Sequence, residues 1–577
     1  MNSRTSLRCC VFGLLFVVNQ AVCGRGITLP IVDDRQPPQA GRVCAYGDMN
    51  KDRYTDLIVQ RGPKLYFLMQ HESGDFSANP RYTPIDLGRN LEVHCTVGDF
   101  NGDAVPDILV VAKVRDTYSA SIYYVQETSH IEVSMNQSYI EQPVVMDVNG
   151  DGISDVLGFG SRSNAYENCA YRFVGGDFSA GVYPHFPHVF MDLDGDLSSE
   201  IIFGLNSGKV KLELSVWKLD NSSMYWRQTK TLIPPLPDNP EIRHFGAPLV
   251  GDFNADSNSD VLIPVCREAN CARVEKFLAW SSEAELVTEP NSIVTFRVGE
   301  FSLDGYPDLI ATVKMNGMTG PMILENVAAD NGNNFSRRFE INLQKDFRII
   351  MPAEMAKSTI VISSFFDVKE DGNLDILVEY KKDESSTFID FIKCDDKGDT
   401  TFLKIQVFSN VCADDCPATP ISDRGSGISW VGACAAFSMS TSYGAPRVST
   451  QCQLPQTSYR TFHSPFVLFG LGRSPNFVDI VNLGSPRWPA DSSNQHYQLK
   501  QIVPNSRVIV VPPERDGNHW QSRLYLTPSR LIIQSLIVQI SVCFILFCLV
   551  LGLHLREKRD DRRERQSQSH RFHFDAM

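Results

Sequence analysis

Positive charge is in short supply: 54 Lys and Arg stand against 68 Asp and Glu, a formal net charge of −14. That balance repels a phosphate backbone, so nucleic acid is not an expected partner. Catalytic signatures are missing as well. The chain has neither an HExxH zinc helix nor a GxSxG nucleophile elbow. Its cysteines lack the paired two-residue spacings with nearby histidines that a zinc site uses. Long apolar runs are also scarce, and 43% hydrophobic with 21% charged residues is ordinary for folded protein, which excludes a disordered chain and a multi-span membrane protein. With 577 residues, more than one module is expected, because single cores stop growing near 250 to 300 residues.

The two exceptions to the shortage of apolar runs lie at the ends. Arg4 and Arg8 precede an apolar stretch and then the small residues 21–24, the pattern of a cleavable signal peptide over 1–23. Residues 531–553 carry no charge and are followed closely by Arg556, Lys558, Arg559, Arg562, Arg563 and Arg565. By length and the positive-inside rule this is one transmembrane helix, with 554–577 as a cytoplasmic tail and the ectodomain outside the cell. Of 15 cysteines, ten fall in the ectodomain, where an even number in an oxidising compartment suggests disulfides, with Cys266 and Cys271 the candidates for a local bridge. Asn136, Asn221 and Asn334 open glycosylation sequons.

Internal repetition is the informative feature. DMNKDRYTD at 48, DFNGDAVPD at 99, DVNGDGISD at 147, DLDGDLSSE at 192, DFNADSNSD at 252, EFSLDGYPD at 300 and DVKEDGNLD at 367 are separated by 51, 48, 45, 60, 48 and 67 residues. Such periods match four-stranded propeller blades. Oxygen side chains at positions 1, 3, 5 and 9, with a small or flexible residue near 6 and a backbone carbonyl at 7, wrap a tight loop round a hard cation, which points to Ca2+. An EF-hand needs a bidentate Glu at position 12 and flanking helices. Here LIV, ILVV and VLGF follow the first three loops, so the loops join strands. The first repeat reads as strands 42–47, 57–60, 65–70 and 83–87, and the last as 360–366, 376–380, 387–393 and 402–408. The third is cramped, and its fourth strand is hard to place.

The complete ligand sets are Asp48, Asn50, Asp52 and Asp56; Asp99, Asn101, Asp103 and Asp107; Asp147, Asn149, Asp151 and Asp155; and Asp252, Asn254, Asp256 and Asp260. Asp192, Asp194, Asp196 and Glu200 end on a longer acid. Glu300, Asp304 and Asp308 form a weaker set with Ser302, and Lys369 puts an ammonium where the seventh loop needs an oxygen, so that loop is expected to be empty. With three or four carboxylates and no position-12 clamp, affinity belongs on the order of 0.1 to 1 mM, the range of extracellular structural sites.

These repeats resemble the FG-GAP propeller of integrin α chains, and a literal FGAP stands at 245–248. The resemblance implies an all-β fold with a seven-bladed propeller over 40–408. Residues 409–527 keep strand character without a calcium loop and form a smaller β module. SYGAPRV at 442 and SPFVLFGLGRSPNF at 464 are similar to the ASPIC/UnbV-type module, with Gly470, Leu471 and Gly472 as a tight turn between strands. Taken with SRLYLTPS at 522, the span and the ending RFHFDAM at 571, the order of parts resembles the T-cell immunomodulatory protein family, also called linkin. That resemblance implies a type I cell-surface glycoprotein acting in adhesion and T-cell modulation, with tubulin and RuvB-like ATPases as cytosolic partners. The residues themselves favour a non-enzymatic protein with a cell-surface or extracellular protein ligand. The alternatives are a membrane-tethered enzyme with a site in the propeller channel, and a receptor or shed ectodomain for a soluble ligand.

Overall fold

The computed structural model describes residues 39–574 apart from 162–165, 169–182, 185–188, 207–211, 221–224, 233–243, 267–284, 287–295, 329–336, 342–354, 395–399, 410–425, 487–495 and 514–519, and breaks of one to three residues. Among the described residues before 527 the only regular secondary structure is strand, and one helix, Arg530–Phe574, follows.

One hairpin geometry recurs seven times. The residue before position 1 of each acidic loop pairs antiparallel with the acid at position 9: Gly47 with Asp56, Gly98 with Asp107, Met146 with Asp155, Met191 with Glu200, Gly251 with Asp260, Gly299 with Asp308 and Phe366 with Asp375. The ninth residue is therefore the first of the outgoing strand, which fixes the register of each sheet at its loop end. The second repeat is a regular four-stranded sheet, Val93–Gly98, Asp107–Val114, Thr117–Val125 and His130–Tyr139. The third has three strands among the described residues, in line with its short sequence.

Both faces of each sheet are apolar because each serves a different neighbour. Leu57 and Val59 pack with Ile362, Phe366 and Leu377 of the last repeat, while Ile58, between them, packs with Cys95 and Ile108 of the second. Leu109 and Val111 join Val145 and Val156. Val144 and Leu157 join Phe190 and Ile201. Val189 and Ile202 join Phe245. Leu249 and Phe253 continue to Leu309, Phe365 and Ile376. Alternation of period two thus sends successive side chains into successive cores. A disulfide, Cys44–Cys95, ties the first two repeats.

The last repeat departs from the order expected of it. Its sheet is Thr359–Phe366, Asp375–Lys381 and Thr387–Ile392, and the outer position is taken by Gln39–Ala40 from the start of the described chain, with Gln39 opposite Ile389. The run 402–408, expected there, instead lies in Thr401–Val407, which pairs antiparallel with Val467–Gly472 and parallel with Ser506–Val511. An apolar strand fits any buried position, so its run alone does not say which sheet receives it.

The C-terminal module therefore begins near 401. Its first sheet is Val467–Gly472, Thr401–Val407, Ser506–Val511 and Gln521–Leu526, and its second is Pro446–Cys452, Cys434–Ser440, Val478–Gly484 and His496–Ile502. Leu403, Ile405 and Phe469 of one sheet meet Phe437, Val481 and Leu483 of the other in one core, the arrangement of a β-sandwich. Cys434–Cys452 cross-links adjacent strands. Gly470 to Gly472 are in strand and buried, which replaces the tight turn expected there. A Cβ on Gly470 would come within 2.5 Å of Leu303, so glycine is needed for close approach of the sixth loop.

The helix holds an apolar stretch long and uncharged enough to cross a bilayer. It continues past 553 through the basic residues to Phe574.

Candidate metal loops and the module that meets them

Each acidic loop bends the same way. Positions 4 and 6 both have positive φ in all seven, from Lys51 and Arg53, with φ of 61° and 78°, to Glu370 and Gly372, with 53° and 80°. Two left-handed residues separated by one right-handed residue turn successive backbone N–H groups inward, and the first acid receives them. In the second loop Asp99 accepts the N–H of Gly102 at 2.6 Å and of Ala104 at 2.9 Å; in the third, Asp147 accepts Gly150 at 2.7 Å and Gly152 at 2.6 Å. Non-glycine residues at position 4 in the first, fifth, sixth and seventh loops hide this demand from anyone reading the sequence alone.

Position 9 does a second job. Asp56 accepts the N–H of Met49 and of Gln70, each at 2.9 Å, and Asp107 accepts Phe100 at 3.2 Å and Val125 at 3.0 Å. The acid therefore staples the loop to the third strand of its own sheet. Asn50, Asn101, Asn149 and Asn254 at position 3 each bond the position-5 carboxylate, at 2.8 to 3.1 Å. Positions 1, 3, 5 and 9 of the first, second, third and fifth loops are thus held on one turn, although among the described residues only the fourth loop brings three carboxylates within 4.8 Å of one another.

Burial grades across each loop: the first acid is buried in all seven, and the fifth position is half-buried. This starves the inner carboxylates of solvation. Burial pushes Asp147 up to about 8, with the neighbouring Asp151 and Asp155 raising it further. Burial and then Asp52 push Asp48 to about 7. Burial pushes Asp107 to about 8 against the pull of its backbone bonds, and takes Asp99 and Asp252 to about 6. Carboxylate and amide oxygens at positions 1, 3, 5 and 9 are the hard donors that a cation such as Ca2+ takes, and in the first, second, third and fifth loops these are the residues that would hold one.

The fourth and seventh loops differ. Asp192, Asp194 and Glu200 bring carboxylate oxygens within 4.8 Å of one another. The half-exposed Lys218 lies against them, 2.6 Å from Asp196 and 3.1 Å from Glu200, with a further contact to Asp194. In the seventh, the fully buried Lys404 places its ammonium 2.8 Å from Asp367 and against Glu370. Burial raises Glu370, yet Lys404 and then Arg507 hold its carboxylate below the usual range. In the sixth, Arg447 of the module crowds Gly305 and draws on the buried Glu300.

Lys404 and Arg447 belong to a wider seam. Trp430 Nε1 donates to Asp147 at 3.1 Å and Ser409 to the Gly152 carbonyl at 2.5 Å. Ser199 donates to the Gly432 carbonyl at 3.1 Å, Thr450 N–H to Asp252 at 3.2 Å and Gly472 N–H to the Leu303 carbonyl at 2.9 Å. Gly427 abuts the Asp48 carbonyl. The module is therefore seated on the loops of the first, third, fourth, fifth, sixth and seventh repeats.

Among the sequons and cysteines singled out above, Asn136 is exposed on the outer strand His130–Tyr139, where the register shifts between Ser134 and Ser138. Asn221, Asn334 and Cys271 lie outside the described residues. Cys266 is disulfide-bonded, and Cys394 is buried, its thiol lying 3.5 Å from the Ile392 carbonyl.

Comparison with known proteins agrees with this division. The FG-GAP-like repeat model matches residues 48–110. Residues 425–525 match the model described as ITFG1, C2 domain. Protein linkin of Caenorhabditis elegans is 39% identical over 95% of this chain and 97% of its own length. The T-cell immunomodulatory protein of Mus musculus is 28% identical over 93% and 92%. Among solved structures, the extracellular domains of Drosophila Semaphorin 1a give 8% identity and a TM-score of 0.32 over 64% of this chain and 89% of that one, a likeness too loose to bear on function. The match to linkin runs nearly the whole length of both chains, across the repeat loops, the C-terminal module and the apolar helix described here, and the chain belongs to the T-cell immunomodulatory protein (linkin) family.

Proposed function

We propose that this chain is a non-enzymatic, single-pass type I cell-surface glycoprotein of adhesion and recognition, with a closed seven-bladed ring stiffened by calcium and capped by its C-terminal module. Closure is supported by the pairing of Gln39–Ala40 with the last sheet and by the core shared between first and last repeats. The observation that carries the reading is the seating of the module on six acidic loops. A protein ligand does not reach loops that are already covered, so calcium in the first, third and fifth loops holds ring and module in one rigid ectodomain, and recognition falls to the outward surfaces of both. At millimolar extracellular calcium, sites of this class stay filled.

The test is cell-based. Non-permeabilised cells expressing the full chain should stain with an antibody to the module and adhere to partner cells in calcium but not in chelator. Staining that requires permeabilisation, or adhesion indifferent to calcium and to loss of the ectodomain, would overturn it.

A further inference from the structure

We propose that Lys404 is a built-in cation: its ammonium does in the seventh loop what an ion does elsewhere, so this loop takes no metal and fastens the module without calcium. The seventh loop has the backbone of its siblings, with Asp367 accepting the N–H of Asp371 and Gly372 at 3.0 Å each and Asp375 accepting Val368 at 3.2 Å. It departs from them at one ligand-bearing position and at the residue that follows it. Lys369 stands at position 3, and Glu370 at position 4 turns its side chain inward as an additional carboxylate. Lys404 arrives from the module strand Thr401–Val407, fully buried, with its Nζ on Asp367 and Glu370 and 3.7 Å above the Phe466 ring. An ammonium has three N–H donors, and here Asp367, Glu370 and the face of the Phe466 ring lie against it.

Glu370 extends the contact beyond the loop. Its other oxygen accepts Thr55 Oγ1 at 2.6 Å and Thr55 N–H at 3.2 Å from the first repeat, and Arg507 of the module lies 3.6 Å from the oxygen that holds Lys404. First repeat, last repeat and module therefore meet on one buried ion pair. A divalent cation brought to Asp367 would face Lys404 and Arg507 at close range in a poorly screened interior, which disfavours it. Lys369 on its own already predicts an empty seventh loop; the decisive residue is the one contributed by the module.

The experiment uses the full chain in nanodiscs. Calcium bound per chain is counted by equilibrium dialysis for Asp103→Asn and Asp371→Asn, the same position in the second and seventh loops. Hydrogen exchange is then followed with calcium or chelator. Asp371→Asn should leave the count unchanged, and chelator should alter exchange across 365–377 and 402–407 less than two-fold. Lys404→Met should speed exchange in both segments at least ten-fold in saturating calcium. A count lowered by Asp371→Asn, or chelator-driven exchange there matching that of 99–107, overturns the proposal. Should Lys404→Met not fold, Glu370→Gln tests the same pair, and unchanged exchange in whichever variant folds overturns it too. Failure of calcium to protect 99–107 while Lys404→Met still acts would count against the calcium reading and leave the lysine in place.

Discussion

The third and seventh loops share a backbone and differ in where their positive charge comes from. Both have two left-handed residues, a buried first acid and a position-9 acid bonded back to position 2. Around Asp147 the nearest partner from the module is the neutral indole of Trp430, and the carboxylate is pushed up to about 8 by burial and its own neighbours. Around Asp367 the module inserts Lys404. The same electrostatic problem is thus met in two ways: on the calcium proposal the third loop would rely on an ion from solution, whereas in the seventh the positive charge is encoded in the chain. The fourth loop stands between them, since Lys218 comes from its own sheet and remains partly open to solvent.

Chelation should give the largest effect. A loop held about ten-fold above its dissociation constant gains about 1.4 kcal/mol from its ion, so the four loops without an internal cation together contribute about 6 kcal/mol. Calorimetry of the full chain should show the melting temperature falling by several degrees in chelator; an unchanged melt would remove the contrast altogether. Next comes Lys404→Met, which strands buried Asp367 and Glu370 and should cost about 3 to 5 kcal/mol, visible as a denaturation midpoint that added calcium does not restore.

Two glycines sharpen the comparison further. Gly372 and Gly195 have φ of 80° and 79°, but a Cβ on Gly372 would run into the ring of Phe402, whereas Gly195 has nothing within 4 Å. Gly195→Ala should therefore cost about 1 to 2 kcal/mol, the left-handed penalty alone, and Gly372→Ala clearly more, because it also wedges the seam. Equal midpoints for the two would show that the seventh loop is not pressed against the module. Trp430→Phe keeps the apolar bulk while deleting the bond to Asp147, and should cost about 1 to 2 kcal/mol. Its loss should shrink in calcium if an ion takes over the freed oxygen.

The loops, their spacing and the strands leaving them were legible because each places chemistry-bearing residues at fixed offsets in nine residues. Membership of one sheet rather than another was not. The run 402–408 is apolar on both faces, and nothing local in TFLKIQVF distinguishes an outer blade strand from the central strand of a sandwich. Lys404 is the one clue, since a lone charge between Leu403 and Ile405 must find a buried partner or break the strand pattern, and that partner lies 34 to 37 residues back in sequence. The two-residue strand Gln39–Ala40 carried too little pattern to be seen. Position 4 was missed because Lys51, Ala255, Leu303 and Glu370 disguise a backbone conformation that glycine announces elsewhere.

That early strand also imposes a timetable. Gln39 finds its partner Ile389 only after some 350 residues more have been made, roughly 20 to 70 s at ordinary synthesis rates. Until then the emerging array has two raw edges, and Lys404 follows close behind the final sheet. Pairing of Gln39–Ala40 with the last sheet can thus precede completion of the module, because the strand that carries Lys404 gains its partners Val467–Gly472 and Ser506–Val511 only later in the chain, and a product truncated before residue 404 would leave the ribosome without the ammonium that meets Asp367 and Glu370.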